Sequence, residues 1–191
     1  MDSFILIPGQ KPSETEVFTV NIFLTGPVRV GKSTAINRFL SANPAVRPGG
    51  FATKNVPSLR KGAERDVYIL PPVWTEADFL PSRLTARAQG GVWTLYPEVF
   101  DREGTALLAA EGPFDLLLMD ELGRLELRAA AFRAAVLAAL DGDVPVLGVI
   151  KPESNPFLDA VRAHPRTRVL EVTEENRDGI PARIAAMLAG R

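Results

Sequence analysis

Apolar residues recur in two rhythms along this chain. Short unbroken runs alternate with stretches in which apolar positions return every three or four residues. Residues 17–24 (VFTVNIFL) are rich in β-branched and aromatic types and predict a buried strand. A helix is expected from Lys32 to about Leu40, with Ile36, Phe39 and Leu40 on one face and Asn43-Pro44 ending it. Between about Arg47 and Tyr96 the pattern is weak. Residues 50–53 and 67–70 are candidate strands, and prolines at 57, 71, 72 and 81 break the rest into loops. Helical spacing returns over about 97–111 and stops at Gly112-Pro113.

Residues 116–119 (LLLM) form a continuous apolar run, as in a central parallel strand covered on both faces. A long helix is expected from about Glu126 to Leu140, its Phe132, Val136 and Leu140 stacked at i, i+4, i+8, with Gly142 suited to a left-handed cap. Residues 144–150 and 168–172 predict strands, and 156–163 a short helix. A last helix begins near Gly179, with Pro181 in its first turn and Asp178 placed to cap it. Strands alternating with helices imply an α/β fold, a mostly parallel central sheet with helices on both faces. Residues 1–16 read as a strand or tail ahead of one domain, 17–191. Within that domain about 55–96 is a lid-like or antiparallel insertion.

Composition narrows the chemistry. At 191 residues, 46% hydrophobic and 24% charged, the chain matches a soluble globular domain large enough to bury its own core. A net charge of −1 offers no positive field, so nucleic acid is not an expected partner. With no cysteine, disulfides, thiol catalysis and cysteine-held zinc are excluded. The single histidine, His164, precedes Pro165 and reads as a loop residue near a helix end. No segment approaches the ~18 apolar residues of a membrane helix, and the acidic N-terminus is unlike a signal peptide; the expected location is cytoplasmic.

Residues 26–33 (GPVRVGKS) match G-x-x-x-x-G-K-[ST] in full, after a strand and opening a helix. A loop that wraps phosphate oxygens with backbone N–H groups needs glycine at its ends. The helix start adds its positive dipole end. Nucleotide binding is therefore expected on Gly26, Pro27, Val28, Arg29, Val30, Gly31, Lys32, Ser33 and Thr34. Lys32 is placed to reach the β- and γ-phosphates, and the Ser33 hydroxyl to ligate Mg²⁺.

Asp120-Glu121 directly follows the run 116–119. An aspartate ending a buried strand next to the phosphate-loop strand would hold Mg²⁺, and Glu121 would orient or deprotonate the attacking water. Asp120-Glu121-Leu122-Gly123 also fits D-x-x-G, but the N-K-x-D element that regulatory GTPases use to read guanine is absent.

These motifs, together with residues 50–53 (GFAT), 119–127 (MDELGRLEL) and 171–178 (EVTEENRD), resemble the THEP1-type nucleoside triphosphatases over roughly residues 20–188. The resemblance implies a RecA-like, three-layer α/β/α P-loop NTPase domain and Mg²⁺-dependent hydrolysis of nucleoside triphosphates, ATP, GTP or others, with broad base selectivity. It implies phosphate binding on residues 26–34, metal binding on Ser33 and Asp120, and water activation by Glu121. Two departures stand out. Val28-Arg29-Val30 occupies a loop where the family often has a second glycine and no arginine. Residues 53–56 (TKNV) replace a T-x-E-V-R pattern.

Arg124 keeps the family's basic position. It reads either as a cation for the transferring phosphoryl group or as a surface arginine paired with Glu121 or Glu126. Asn176-Arg177 reads as a structural element before the last helix or as a contact to base or ribose. Trp74 and Trp93 are expected in core or lid packing rather than on a base. The leading reading is a triphosphate hydrolase with Lys32, Glu121 and Arg124 as catalytic residues. A nucleotide or small-molecule kinase and a low-turnover nucleotide-binding switch stand beside it. The oligomeric state is open, a monomer among the readings.

Overall fold

Along each central strand, odd and even side chains go to opposite faces of one sheet, and each face carries its own core. The computed structural model describes residues 19–190; the expected strand or tail at 1–16 lies outside them. The strands are β1 (Asn21–Thr25), β2 (Pro48–Pro57), β3 (Arg65–Leu70), β4 (Leu84–Gln89), β5 (Val92–Leu95), β6 (Leu116–Leu122), β7 (Val146–Ile150) and β8 (Thr167–Glu171). They form one eight-stranded sheet in the order β5-β4-β3-β2-β6-β7-β1-β8. β2, β6, β7, β1 and β8 pair in parallel, whereas β2, β3, β4 and β5 pair antiparallel in succession.

On one face Ile22, Leu24, Leu118, Leu147 and Val149 pack with Ile36 and Phe39 of α1 (Lys32–Ala42) and with Ile184 and Leu188 of α6 (Ile180–Ala189). On the other, Phe23, Phe51, Met119 and Ile150 pack with Phe100 from the helical segment of α2 (Pro97–Val99), the π-helical turn Phe100–Gly104 and α3 (Thr105–Leu108). Phe132 and Val136 of α4 (Ala130–Leu140) and Phe157 and Val161 of α5 (Pro156–Ala163) complete that core. Phe132 is fully buried, with its ring centroid 5.2 Å from that of Phe51 and 5.3 Å from that of Phe100. A cavity there would cost about 3–5 kcal/mol. The result is the α/β sandwich, mostly parallel at its centre, that the alternating pattern predicts.

Several local expectations give way. β7 lies between β1 and β6, so the acid-bearing strand is one removed from the phosphate-loop strand rather than next to it. Both pairings are parallel and buried, and an apolar run does not encode which neighbour it takes. The helix expected from Glu126 starts at Ala130. Residues Leu125–Arg128 form a 3₁₀ turn instead, because the Glu126 carboxylate turns inward and accepts the Gly123 N–H at 2.9 Å.

Gly142 is not left-handed. Asp141 and Gly142 simply return their N–H groups to the carbonyls of Ala138 and Ala139 at 3.1 and 3.2 Å. Gly179, not Asp178, takes the cap position of α6, and Asp178 pairs with Arg38 at 2.7 Å. Trp74 and Trp93 are 38% and 39% exposed, so neither is a core residue.

Candidate phosphate-binding site

The loop between β1 and α1 is shaped by two glycines whose conformations other residues resist. Gly26 has φ 131°, and a Cβ there would stand 2.4 Å from the Val172 carbonyl oxygen; Gly31 has φ 113°. Arg29, at φ 65°, is the one non-glycine with positive φ among the described residues. It lies within Val28-Arg29-Val30, and a left-handed backbone is a conformation that glycine takes more readily than arginine. Val28 is exposed, and Val30 is buried in the core beneath the loop. Pro27 contributes its carbonyl.

Lys32 opens α1 with its side chain folded back. Its ammonium donates to the carbonyls of Gly26 at 2.8 Å and Pro27 at 2.7 Å. Burial pulls its pKa below the ordinary lysine value, partly offset by the nearby Glu121 carboxylate. Ser33, one residue on, donates its hydroxyl to Asp120 Oδ1 at 3.1 Å. The two chain segments named from motifs 87 residues apart thus meet directly, although β7 separates their strands. Asp120 is 7% exposed, and that burial raises its pKa, against the opposing pull of Lys54 and the Ser33 hydrogen bond.

Glu121 stands beyond Asp120, across a cis peptide bond, at an irregularity in the β6–β7 register. Such a bulge re-aims a side chain. Its N–H donates to Thr53 Oγ1 at 3.2 Å. Thr53, which starts the altered 53–56 segment, therefore still supports the acid pair. The Glu121 carboxylate pairs with Lys151 at 2.9 Å.

A cleft of about 390 Å³ opens here. It is lined by Gly26, Val28, Arg29 and residues 31–34 of the phosphate loop and by Glu121, Lys151 and Pro152. Arg124 is exposed, heads the 3₁₀ turn, and is not among the lining residues. Neither the ion pair with Glu121 nor that with Glu126 is formed. Lys151 was not singled out from the sequence; a lysine after a strand carries no motif, and its only signal was position at the end of a buried run.

The family profile described as NTPase matches residues 21–185, which is most of the chain. The chain belongs to the THEP1-type nucleoside-triphosphatase family. It is 31% identical over 170 residues to the nucleoside-triphosphatase THEP1 of Methanosarcina barkeri, covering 87% of this chain and 95% of the relative. The THEP1 of Thermofilum pendens is 30% identical, covering 88% and 95%. The crystal structure of THEP1 from Aquifex aeolicus shares the fold, with a TM-score of 0.68 at 22% identity over 88% of this chain and 99% of that one. The solution structure of a human cancer-related nucleoside triphosphatase gives a TM-score of 0.63 at 25% identity over 90% and 99%.

The THEP1-like segment 171–178 flanks the phosphate loop on its β8 side. Asn176 is used up in building that turn: its Oδ1 accepts the Thr173 N–H and its Nδ2 donates to the Glu171 carbonyl, both at 2.9 Å. Arg177 is exposed, and its Cδ runs 3.7 Å from where a Cβ at position 31 would be.

Proposed function

We propose that this protein is a Mg²⁺-dependent hydrolase that converts nucleoside triphosphates to the diphosphate and phosphate, with broad selectivity for the base. The observation that carries this reading is the Ser33–Asp120 hydrogen bond, because it brings the helix that follows the phosphate loop and the acid-bearing strand to one point. Family membership points the same way.

The residues present fit a hard divalent cation. Ser33 and Asp120 offer oxygen donors, and a buried carboxylate of raised pKa gains from a cation beside it. No group of three or more His, Cys, Asp or Glu residues capable of holding a metal occurs among the described residues. That suits Mg²⁺, which takes one or two protein oxygens plus substrate phosphates. When bound, Mg²⁺ supplies charge neutralisation on the β- and γ-phosphates.

The chain's own groups do the rest. Backbone N–H groups of residues 26–34 and the N-terminal end of α1 hold the phosphates. Lys32 exchanges its two carbonyl partners for phosphate oxygens. Glu121 orients a water for in-line attack on the γ-phosphorus and accepts its proton. Incubation with Mg²⁺ and a nucleoside triphosphate alone should release phosphate steadily; no release without an acceptor molecule would favour the kinase reading. Glu121→Gln should keep triphosphate binding and slow turnover by about 10²- to 10⁴-fold. Wild-type turnover in that variant removes Glu121 from the chemistry. A rate comparison across the common nucleoside triphosphates tests the breadth of base selectivity.

A further inference from the structure

The cleft holds a second lysine that the reading above leaves without a task. We infer that Lys151 recognises the terminal phosphate of a bound triphosphate: its ammonium exchanges the Glu121 carboxylate for the γ-phosphate, releasing Glu121 to water. The last step rests on the water-orienting role proposed for Glu121; the recognition step does not.

Lys151 is built into the site rather than draped over it. It follows β7, the strand between the two motif-bearing strands. Its backbone is fixed on both sides. The N–H donates to the Leu122 carbonyl at 3.0 Å, and its own carbonyl accepts from the Arg162 guanidinium. The side-chain stem lies along Gly123: a Cβ there would come within 3.3 Å of Lys151 Cγ and Cδ. Any larger residue at 123 would crowd the stem. The ammonium is thereby carried to Glu121 Oε1 at 2.9 Å, in the cleft that the phosphate loop also lines.

Its present partnership is weak enough to exchange. The Lys151 and Glu121 side chains are 37% and 33% exposed. Pairs that exposed to water are worth little. A terminal phosphate carries more charge than one carboxylate and presents three acceptor oxygens to an ammonium with three rotatable donors. Lys32 and Lys151 line the same cleft, so a phosphate held there would meet both cations. A diphosphate lacks the group that Lys151 would meet. The residue thus distinguishes substrate from product.

The test reads binding, not turnover. With Mg²⁺ present, calorimetry compares a β,γ-imido triphosphate with the matching diphosphate in the wild type, Lys151→Met, Lys151→Arg and Glu121→Gln. Lys151→Met should weaken triphosphate binding by about tenfold while diphosphate binding stays within about twofold, the worth of one charge-assisted contact. Lys151→Arg should keep most of the preference, which guards against a folding defect in the methionine variant. Glu121→Gln, which removes the competing carboxylate, should tighten the triphosphate a few-fold, by about the worth of an exposed pair. Equal losses for both ligands in Lys151→Met, or no loss for either, overturn the proposal and leave Lys151 a structural partner of Glu121. If Glu121→Gln turns over at the wild-type rate, the water-orienting role falls, and the triphosphate-to-diphosphate ratio still decides the case of Lys151.

Discussion

A carboxylate that is 2% exposed and has no salt-bridge partner among the described residues belongs to Glu126. Its hydrogen bond comes from the Gly123 N–H at 2.9 Å. Burial pushes its pKa up to about 7 from 4.5; Glu121 nearby adds to the rise and Lys151 opposes it. Below the unfolded value both states are protonated. As pH climbs from 4.5 to about 7, the unfolded chain gives up its proton first, so stability falls across that window and stays low above it. The loss attributable to this group is about 3 kcal/mol. Glu126→Gln keeps an acceptor for Gly123 without the titration. Urea unfolding should show the variant gaining on the wild type between pH 5 and pH 8; parallel pH curves would count against a buried, titrating Glu126. In the sequence this residue is just one acid of a family-like string, whereas residues 26–33 are legible because each type answers a fixed need: left-handed turns at Gly26 and Gly31, a cation at Lys32, a hydroxyl at Ser33.

Among the elements, the β4–β5 hairpin was the least legible. All four residues of β5 are exposed, so no alternation marks it, and β4 carries small alanines on its buried face. The available signal was Gly90-Gly91, with φ of 58° and 75°, which suits a tight hairpin turn. β3 and β4 are locked together by a charge pair equally invisible to periodicity. Asp66, 3% exposed, receives the Arg87 fork at 2.6 and 2.8 Å and the Ser58 hydroxyl at 2.8 Å. The Arg87 guanidinium holds the Asp66 pKa below its ordinary 3.8. That contribution is present above pH 3.8 and disappears as pH falls through the depressed folded value. Arg87→Met strands a buried carboxylate and should destabilise by about 3–5 kcal/mol at pH 7. The gap to wild type should narrow in acid. Denaturant midpoints at pH 7 and in acid check both statements.

At the scale of the molecule, the five parallel strands gather every proposed ligand contact at one end, while β3, β4 and β5 extend the sheet away from it. Ligand binding should stabilise the folded chain by about 2.7 kcal/mol at a hundredfold excess over Kd. For a chain of this size that is a rise in Tm of roughly 5–10 °C. Thermal unfolding with Mg²⁺ and the imido triphosphate should show this rise in the wild type and lose it in Lys32→Ala; an equal rise in the variant would remove Lys32 from phosphate binding. Which strands neighbour which, and therefore that Lys151 joins the site, was not written in any local pattern.

Three polar groups of the cleft have partners within the chain: Lys32 has two carbonyls, Ser33 has Asp120, and Lys151 has Glu121. Binding would then be an ion exchange, in which the incoming anion takes Lys32 and Lys151 from their internal partners and its cation takes Ser33 and Asp120. On that reading a small oxyanion that brings no cation would exchange fewer of these contacts than a metal-bearing triphosphate, and the cleft would favour the longer chain.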